Sequence, residues 1–294
     1  METRQLEYFV AVAGERSFTR AAERLNAVQS TVSAGIAALE KELRYSVFVR
    51  STRKVELTAL GAELLPMAEQ MINGEERMRA LAGESGSGLT GRIRMGTISN
   101  LGWLDLPGRL GEFHREHPGV QLSMVHRPRG STDIVRDLRA GRLDVGLVGL
   151  ATEELGDLAP VVIDDSPLVA VLPRDHRLAG RPRIELADLA DEPFVDMPPG
   201  FGNRLAVERH LRERKLRRRV VVEVPDLATV PEYVGAGLGV AVVPDQGITG
   251  AGVVVRPLTA QLRWRMSVVS TQAARGIPAV EALLRVLDVH RERE

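Results

Sequence analysis

The stretch SFTRAAERLNAVQSTVSAGIAALE, residues 17–40, decides the fold of the N-terminal part of this chain. Ser17 is a residue type that caps helices, and the apolar spacing from Thr19 to Leu25 is helical. Asn26 marks a turn, and the helical period resumes from Gln29 to Leu43. Two short helices joined by so few residues predict a helix-turn-helix.

The next segment predicts a small β-wing that carries positive charge. Val47 to Val49 lead into a turn with Arg50, Arg53 and Lys54, and Val55 to Leu57 lead out of it. Short runs rich in β-branched residues on either side of a turn are typical of a hairpin. The wing therefore brings three cations close to the helix-turn-helix.

A long helix is predicted after Thr58, whose hydroxyl is suited to cap it. Apolar residues recur along it at alternating steps of three and four, with Gly74 in one gap: Leu60, Leu64, Met67, Met71, Met78 and Leu81. Such a stripe on a helix outside a globular core indicates a partner helix, and hence a dimer. The alternative is that the stripe packs on its own domain. Pro66 should bend this helix or remove one backbone hydrogen bond.

Composition limits the classes of protein to which the chain can belong. It has 294 residues, 44% of them hydrophobic, a formal net charge of zero and no cysteine. Zero net charge argues against a globally basic nucleic-acid binder but is compatible with a local basic patch. The lack of cysteine excludes disulfides and fits a reducing cytoplasm. Because no apolar run could span a bilayer and the N-terminus is unlike a signal peptide, we expect a cytoplasmic protein with no membrane partner.

A glycine- and serine-rich stretch, GESGSGLTG at 83–91, has the composition of a flexible linker. Beyond it, strand and helix patterns alternate in two sets, which predicts α/β units with right-handed crossovers. A strand at 166–173 leads from the first set to the second, and a helix from Ile277 to His290 closes the chain.

The predicted organisation therefore has three parts. We expect a winged helix-turn-helix at 1–58, a dimerisation helix with a flexible hinge at 59–90, and a two-lobed α/β domain at 91–294. Lobe I is expected at 91–165 and 268–294, lobe II at 166–267, with a cleft between them.

Several motifs of the chain are similar to those of one family. They are SFTRAAERL, QSTVSAGIAALE and LTALG near the N-terminus, and LRAGRLDVGLV and VGAGLGVAVVP further on. In these motifs the chain resembles the LysR-type transcriptional regulators, over essentially its whole length. The resemblance implies a DNA-binding regulator, not an enzyme, whose C-terminal domain has a periplasmic-binding-protein-like fold and senses a small-molecule effector. It also implies a homotetramer on double-stranded promoter DNA, where RNA polymerase can be a further partner.

The third predicted helix can be divided into faces at about 100° per residue. One face is apolar and should lie in the core: Val32, Ile36, Leu39 and Leu43. The opposite face carries Ser30, Ala34, Ala37 and Lys41. Hydrogen-bonding side chains gather at the N-terminal end, which enters the major groove in this motif. They are Gln29, Ser30, Thr31 and Ser33.

Most side chains on the exposed face of this helix are too short to contact bases over a wide stretch of DNA. Ala34 and Gly35 stand where members of the family commonly carry a longer polar or basic residue. Much of the affinity should therefore come from phosphate contacts. The candidates for those contacts are Arg20, Thr31, Arg50, Arg53 and Lys54.

The ligand site of a two-lobed fold is expected between the lobes, where carboxyl ends of strands meet helix N-termini. Free amides and hydroxyls there favour an anion such as a carboxylate, and Arg129 is the charged residue expected to anchor it. The candidate residues are Ser99, Asn100, Trp103, Arg129, Ser131, Thr132, Gly149, Gly200, Phe201 and Asn203. For any one of them, the alternative is an ordinary role in helix capping or turn formation.

The run ERHLRERKLRRRV at 208–220 is rich in arginine. A second DNA contact is one interpretation of it. The other is the solvated face of a helix, with Leu205, Leu211 and Leu216 buried, leading into an edge strand whose arginines discourage pairing.

Motifs of other protein classes are missing from the sequence. The histidines lack zinc-protease spacing, and there is no nucleophile elbow, Walker loop or dinucleotide loop, so we expect no metal and no cofactor. A solute-binding protein of transport would suit the two-lobed fold but not the helix-turn-helix. An enzyme on this fold would need a convergent acid–base set, and none is visible.

Overall fold

A computed structural model describes residues 1–49, 54–82, 88–98 and 104–288, with the side chains of 76, 77 and 79–82 not described. The chain forms two compact units: Met1–Ser87 with Ala140–Arg142, the N-terminal unit, and Gly88–Arg139 with Leu143–Glu294, the C-terminal unit. Among the described residues, no helix is long and apolar enough to cross a membrane.

The N-terminal unit is helical with one small hairpin. Its elements are α1 Thr3–Glu15, α2 Phe18–Arg24, α3 Gln29–Leu43, β1 Phe48–Val49, β2 Glu56–Leu57 and α4 Ala59–Ala82. The strands pair antiparallel, with Phe48 opposite Leu57. The Phe48 ring also contacts the rings of Phe9 and Phe18, at centroid distances of 5.6 and 5.8 Å. These edge-on contacts fix the hairpin to the helices.

The long helix α4 starts where the sequence predicts. The Thr58 hydroxyl accepts a hydrogen bond from the Gly61 amide at 2.9 Å, which caps the first turn. Pro66 lies inside the helix. The first half of α4 packs on the core of this unit through Leu64, Leu65 and the buried Ala68.

The C-terminal unit alternates strands and helices. Its elements are β3 Gly91–Thr97, α5 Leu106–Glu116, β4 Val120–His126, α6 Gly130–Arg139, β5 Val145–Val148, α7 Thr152–Leu155, β6 Ala159–Pro173, β7 Pro193–Asp196, α8 Gly202–Glu213, β8 Arg219–Glu223, α9 Val230–Gly235, β9 Ala241–Pro244, β10 Val253–Pro257, β11 Arg263–Ser270, α10 Gln272–Arg275 and α11 Pro278–Leu287. Short 3-10 helices occupy Leu186–Leu189 and Leu227–Thr229.

The long strand β6 belongs to two lobes. Its first half, Ala159 to Pro167, pairs with β11 in a sheet that continues through β5, β3 and β4. Its second half, Leu168 to Pro173, pairs with β9 and β10. The parallel pair β7–β8 joins this second half through a bridge between Phe194 and Val240. The result is the predicted α/β architecture of two lobes joined by crossing strands.

Two details differ from the sequence prediction. The crossing strand begins at Ala159 rather than at residue 166, because residues 159–165 pair with β11 although their pattern is interrupted by Asp164 and Asp165. The four-residue helices α7 and α10 were not predicted, since a segment of one turn shows no measurable period.

Candidate DNA-binding surface and effector site

The turn of the helix-turn-helix follows from two polar residues. The Ser17 hydroxyl accepts a hydrogen bond from the Arg20 amide at 3.3 Å and so caps α2. Asn26 adopts a left-handed conformation with φ of 50°, which asparagine tolerates better than most residues. Val28 precedes α3 and contributes no side-chain cap. The first amides of α3 are therefore not covered by a capping side chain and can face an anion.

Helix α3 separates its faces as the sequence predicts. Val32, Ile36 and Leu39 are buried in the core of the N-terminal unit. Ser30, Thr31, Ala34, Ala37 and Lys41 are exposed on the other side. The exposed face is therefore small and polar near its N-terminal end and becomes charged only toward its C-terminal end.

Gly35 does not belong to an open face. A Cβ at this position would lie 2.7 Å from Cε2 of the Tyr8 ring on α1 and would overlap the ring at Cδ2. The helix pair α1–α3 is thus packed too closely for any side chain here. Close packing against Tyr8 therefore explains why position 35 has glycine instead of a longer polar or basic residue.

The polar end of α3 is internally ordered. The Gln29 side-chain amide donates to the Ser33 hydroxyl at 2.9 Å, one helical turn away. Ser30 and Thr31 are exposed beside it. The four predicted base-reading residues therefore lie together on one end of the helix.

The wing is tied to α3 by a contact that sequence reasoning missed. One oxygen of the Glu40 carboxylate accepts from the Val47 amide at 2.8 Å and from the Phe48 amide at 3.3 Å. This carboxylate satisfies two backbone donors where the chain enters β1. Lys54 is exposed two residues before β2. Arg50 and Arg53 lie outside the described residues.

Arg20 is exposed but already partnered. Its guanidinium donates to the Glu15 carbonyl oxygen and stands 3.7 Å from the Glu15 carboxylate. Arg24 reaches the same carboxylate at 3.5 Å. A phosphate would have to compete with Glu15 for Arg20, which makes Arg20 a weaker candidate than Lys54.

The predicted dimerisation stripe is divided between two environments. Leu64 packs on the core of the N-terminal unit and Leu60 is half-buried. Met67, Met71 and Met78 are 58%, 51% and 66% exposed. The side chain of Leu81 is outside the described residues. Part of the stripe thus packs on its own domain, and the methionines leave an uncovered apolar edge.

The candidate effector residues on lobe I surround the first turn of α6. The Ser131 hydroxyl accepts from the Gly149 amide at 2.9 Å, which links α6 to the end of β5. The Arg129 amide donates to the Asp133 carboxylate at 3.3 Å. The Arg129 side chain is exposed, and no hydrogen bond or ion pair of its guanidinium is found with any described residue. Ser99, Asn100 and Trp103 lie outside the described residues.

The candidate residues on lobe II meet those on lobe I directly. The Gly200 carbonyl oxygen accepts from the Thr132 hydroxyl at 2.9 Å and from the Thr132 amide at 3.2 Å. A Cβ at Gly202 would overlap the Gly149 carbonyl oxygen. The structure therefore brings Thr132, Gly149, Gly200 and Phe201 into one contact between the lobes.

Aromatic side chains close two sides of this junction. Phe201 is buried, and a Cβ at Gly130 would lie 2.9 Å from its ring. Trp264 on β11 is buried against Gly149, where a Cβ would overlap its indole. The role of Trp264 was not predicted, because only the β-sheet register brings β11 beside β5.

The arginine-rich run is only partly a solvated face. Arg212 and Arg217 are exposed and Leu211 is buried, as predicted, whereas Leu205 and Leu216 are only half-buried. Arg218, however, is 4% exposed, forms an ion pair with Asp196, and stacks over the Phe194 ring at 5.1 Å. Burial raises the pKa of Asp196 to about 6, although Arg218 acts in the opposite direction. This arginine is a structural residue of lobe II.

The described residues contain no group of three or more His, Cys, Asp or Glu side chains that could hold a metal ion.

Comparison with known proteins agrees with this architecture. Residues 3–62 match the model of the bacterial regulatory helix-turn-helix proteins of the LysR family, and residues 86–291 match the LysR substrate binding domain. The chain is 36% identical to the HTH-type transcriptional regulator ShiR of Corynebacterium glutamicum (strain R), over 89% of this chain and 88% of that protein. It is 29% identical to XapR of Escherichia coli (strain K12), over 96% of both chains.

Solved structures show the same fold. A full-length single-residue variant of OxyR from Pseudomonas aeruginosa superposes with a TM-score of 0.71 at 28% identity, covering 98% of this chain and 95% of that one. CbnR in complex with its target DNA superposes with a TM-score of 0.65 at 22% identity, covering 98% and 99%. The matched families consist of transcriptional regulators rather than enzymes. The chain belongs to the LysR family of DNA-binding transcriptional regulators, with an N-terminal helix-turn-helix domain and a C-terminal effector-binding domain.

Proposed function

We propose that this regulator reads its operator with the N-terminal end of α3 and gains most of its affinity elsewhere. The observation that carries the proposal is the outer face of α3, which offers Gln29, Ser30, Thr31 and Ser33 and then little more than alanines before its last charged turn. Glutamine can pair with adenine, and serine or threonine can serve a base or a phosphate. Direct base recognition by this helix is therefore limited to a few residues at its N-terminal end.

Phosphate contacts are assigned to the wing. Lys54 is exposed and no partner of its ammonium is found among the described residues. Arg50 and Arg53 precede it within four residues of sequence. Each phosphate contact that is lost should flatten the dependence of log K on log salt by about 0.9.

Three substitutions separate the two kinds of contact. Lys54→Ala should weaken binding to all DNA sequences equally and flatten the salt dependence, and Arg53→Ala should act in the same way. Ser33→Ala should change the preference among operator variants and leave the salt slope unchanged. Fluorescence anisotropy with labelled duplexes at several salt concentrations measures both quantities. An unchanged salt slope for both cation variants would show that the wing does not hold phosphates.

The effector is proposed to be an organic anion bound between the two lobes. Support comes from the guanidinium of Arg129, for which the described residues offer no partner, and from Thr132 in the first turn of α6, which carries an amide and a hydroxyl donor. Helix N-termini and an unpaired cation both favour a negative ligand. A thermal-shift screen of carboxylates should find ligands that stabilise the chain, and Arg129→Ala should reduce their effect.

The regulator is proposed to act as a dimer of dimers. The exposed Met67, Met71 and Met78 on α4 form an apolar edge suited to a second copy of the same helix. Effector binding would shift the lobes and alter how the assembly spaces its helix-turn-helix pairs. Footprints that stay unchanged at saturating effector would contradict this coupling.

A further inference from the structure

Two donors at the start of α6 are satisfied by a distant part of the chain itself. Thr132 directs two donors, its amide and its hydroxyl, at the Gly200 carbonyl oxygen, with distances of 3.2 and 2.9 Å. A helix has no internal acceptor for its first amides, so such donors normally meet a cap, water or a ligand. Here the acceptor comes from the other lobe.

The loop that supplies this carbonyl is built to enter the site. Gly200 has φ of 99°, a left-handed region that favours glycine. A Cβ there would lie 2.5 Å from the Arg129 carbonyl oxygen and 3.2 Å from the Thr132 hydroxyl. Phe201 follows and is 4% exposed against Gly130. The loop therefore fits closely, with no space for a side chain at its tip.

Arg129 and Asn203, which lie close in sequence to the two sides of the Thr132–Gly200 contact, each have a side-chain donor with no acceptor among the described residues. The Arg129 guanidinium is free among the described residues, and a neutral carbonyl oxygen cannot balance its charge. Asn203 is 3% exposed, and its side-chain nitrogen finds no acceptor among the residues that the structure describes. A buried amide donor without an acceptor is unfavourable. Asp133, whose carboxylate accepts from the Arg129 amide, is paired with Arg136 at 3.1 Å.

We propose that the Gly200 carbonyl oxygen stands in for one oxygen of the effector, and that an effector must replace it on Thr132. The ligands selected are oxyanions, chiefly carboxylates, because they can take both Thr132 donors and also balance Arg129. A neutral amide offers the same kind of acceptor as Gly200 and gains no charge interaction. Displacing the Gly200 loop from Thr132 separates the two lobes where they touch. Ligand binding and movement of the lobes are therefore coupled. This inference rests on the proposed effector role of the cleft.

Exchange of the Gly200 carbonyl oxygen for a ligand oxygen on Thr132 predicts opposite effects of substitutions at Gly200 and at Thr132. Gly200→Ala forces the loop away from Arg129 and frees Thr132, so propionate should bind about thirtyfold more tightly, the equivalent of two ordinary hydrogen bonds. Thr132→Val removes the hydroxyl and should weaken propionate binding, whereas Thr132→Ser should retain it. The double variant Gly200→Ala with Thr132→Val should bind no more tightly than Thr132→Val alone.

The measurement is the shift of unfolding temperature of the full chain against propionate concentration, at constant ionic strength set with sodium chloride. Propionamide serves as the neutral counterpart and should bind far more weakly than propionate in each variant except Arg129→Ala. Phe201→Ala loosens the same loop without adding atoms and should act in the same direction as Gly200→Ala. Circular dichroism and DNA binding of each variant confirm that it is folded.

Equal or weaker propionate binding by folded Gly200→Ala and Phe201→Ala would overturn the exchange. If carboxylates stabilise the wild type and every variant equally, an effector role of the cleft survives and the Gly200–Thr132 exchange is wrong. If the exchange holds but a saturating carboxylate leaves the DNA footprint unchanged, the proposed regulatory response is wrong instead.

Discussion

Replacing Glu40 by alanine tests how the wing is held to the recognition helix. One oxygen of this carboxylate accepts from the amides of Val47 and Phe48 at 2.8 and 3.3 Å. Both residues are buried, with exposures of 0% and 5%, so water cannot easily replace the lost acceptor. A hydrogen bond to a charged group contributes about 1.5–3 kcal/mol, and the longer bond counts for less. We expect Glu40→Ala to lower the free energy of unfolding of the N-terminal unit by about 3 kcal/mol.

Urea unfolding of the full chain can isolate that unit. Both tryptophans, Trp103 and Trp264, follow the glycine-rich stretch, so tryptophan fluorescence reports the C-terminal domain and far-UV circular dichroism reports both. With a slope of about 1.5 kcal/mol per molar urea, the first dichroism transition should move down by about 2 M. The fluorescence transition should not move.

Glu42→Ala on the same helix is the matched control. The Glu42 carboxylate meets the N-terminal ammonium at 2.5 Å on the surface, and an exposed ion pair contributes at most about 1 kcal/mol. Glu40→Gln keeps an acceptor and should fall between the two. If Glu40→Ala and Glu42→Ala unfold at the same urea concentration, the assignment of Glu40 as the anchor of the wing is wrong.

Three further predictions concern packing, assembly and pH. Gly35→Ala should destabilise the N-terminal unit by about 1–3 kcal/mol because its Cβ collides with the Tyr8 ring, and Tyr8→Ala in the same chain should recover part of the loss in urea unfolding. Met71→Asp should shift the chain toward monomer in sedimentation velocity, since a carboxylate on an apolar helix edge opposes pairing; an unchanged sedimentation coefficient would place the dimer contact elsewhere. Because burial raises the pKa of Asp196 from 3.8 to about 6, the folded chain holds this proton more tightly than the unfolded chain. The free energy of unfolding should therefore fall as pH rises from about 4 to about 6, and Asp196→Asn should remove that component, whereas a wild-type curve parallel to that of the variant would contradict the shift.

Features set by local sequence could be predicted closely. Helix α3 runs from Gln29 to Leu43 in the structure, as its period indicates, because Val32, Ile36 and Leu39 must share one face to be buried. The wing was predicted for a similar reason, since short β-branched runs flank a polar turn. Hydrophobic period and turn residues carry this information within about fifteen residues of chain.

Contacts between distant segments could not be predicted. Glu40 reads as an ordinary helix-surface residue, and only folding shows that its carboxylate reaches the Val47 amide. Arg218 lies in a run of three arginines that the sequence pattern cannot tell apart. Of Arg217, Arg218 and Arg219, Arg218 alone is paired with the buried Asp196. The seating of Gly200 on Thr132 depends on lobe geometry. In each case the deciding partner lies outside the local pattern.

Base recognition is proposed to be confined to the N-terminal end of α3, with most of the affinity on the wing. Binding of the full chain to the intergenic DNA beside its own gene, measured by anisotropy across a salt series, tests this division. We expect specific binding in which Ser33→Ala reduces discrimination between operator and unrelated DNA at an unchanged salt slope. Lys54→Ala should flatten the slope and keep the discrimination. Loss of discrimination in Lys54→Ala, with Ser33→Ala indistinguishable from the wild type, would contradict this division.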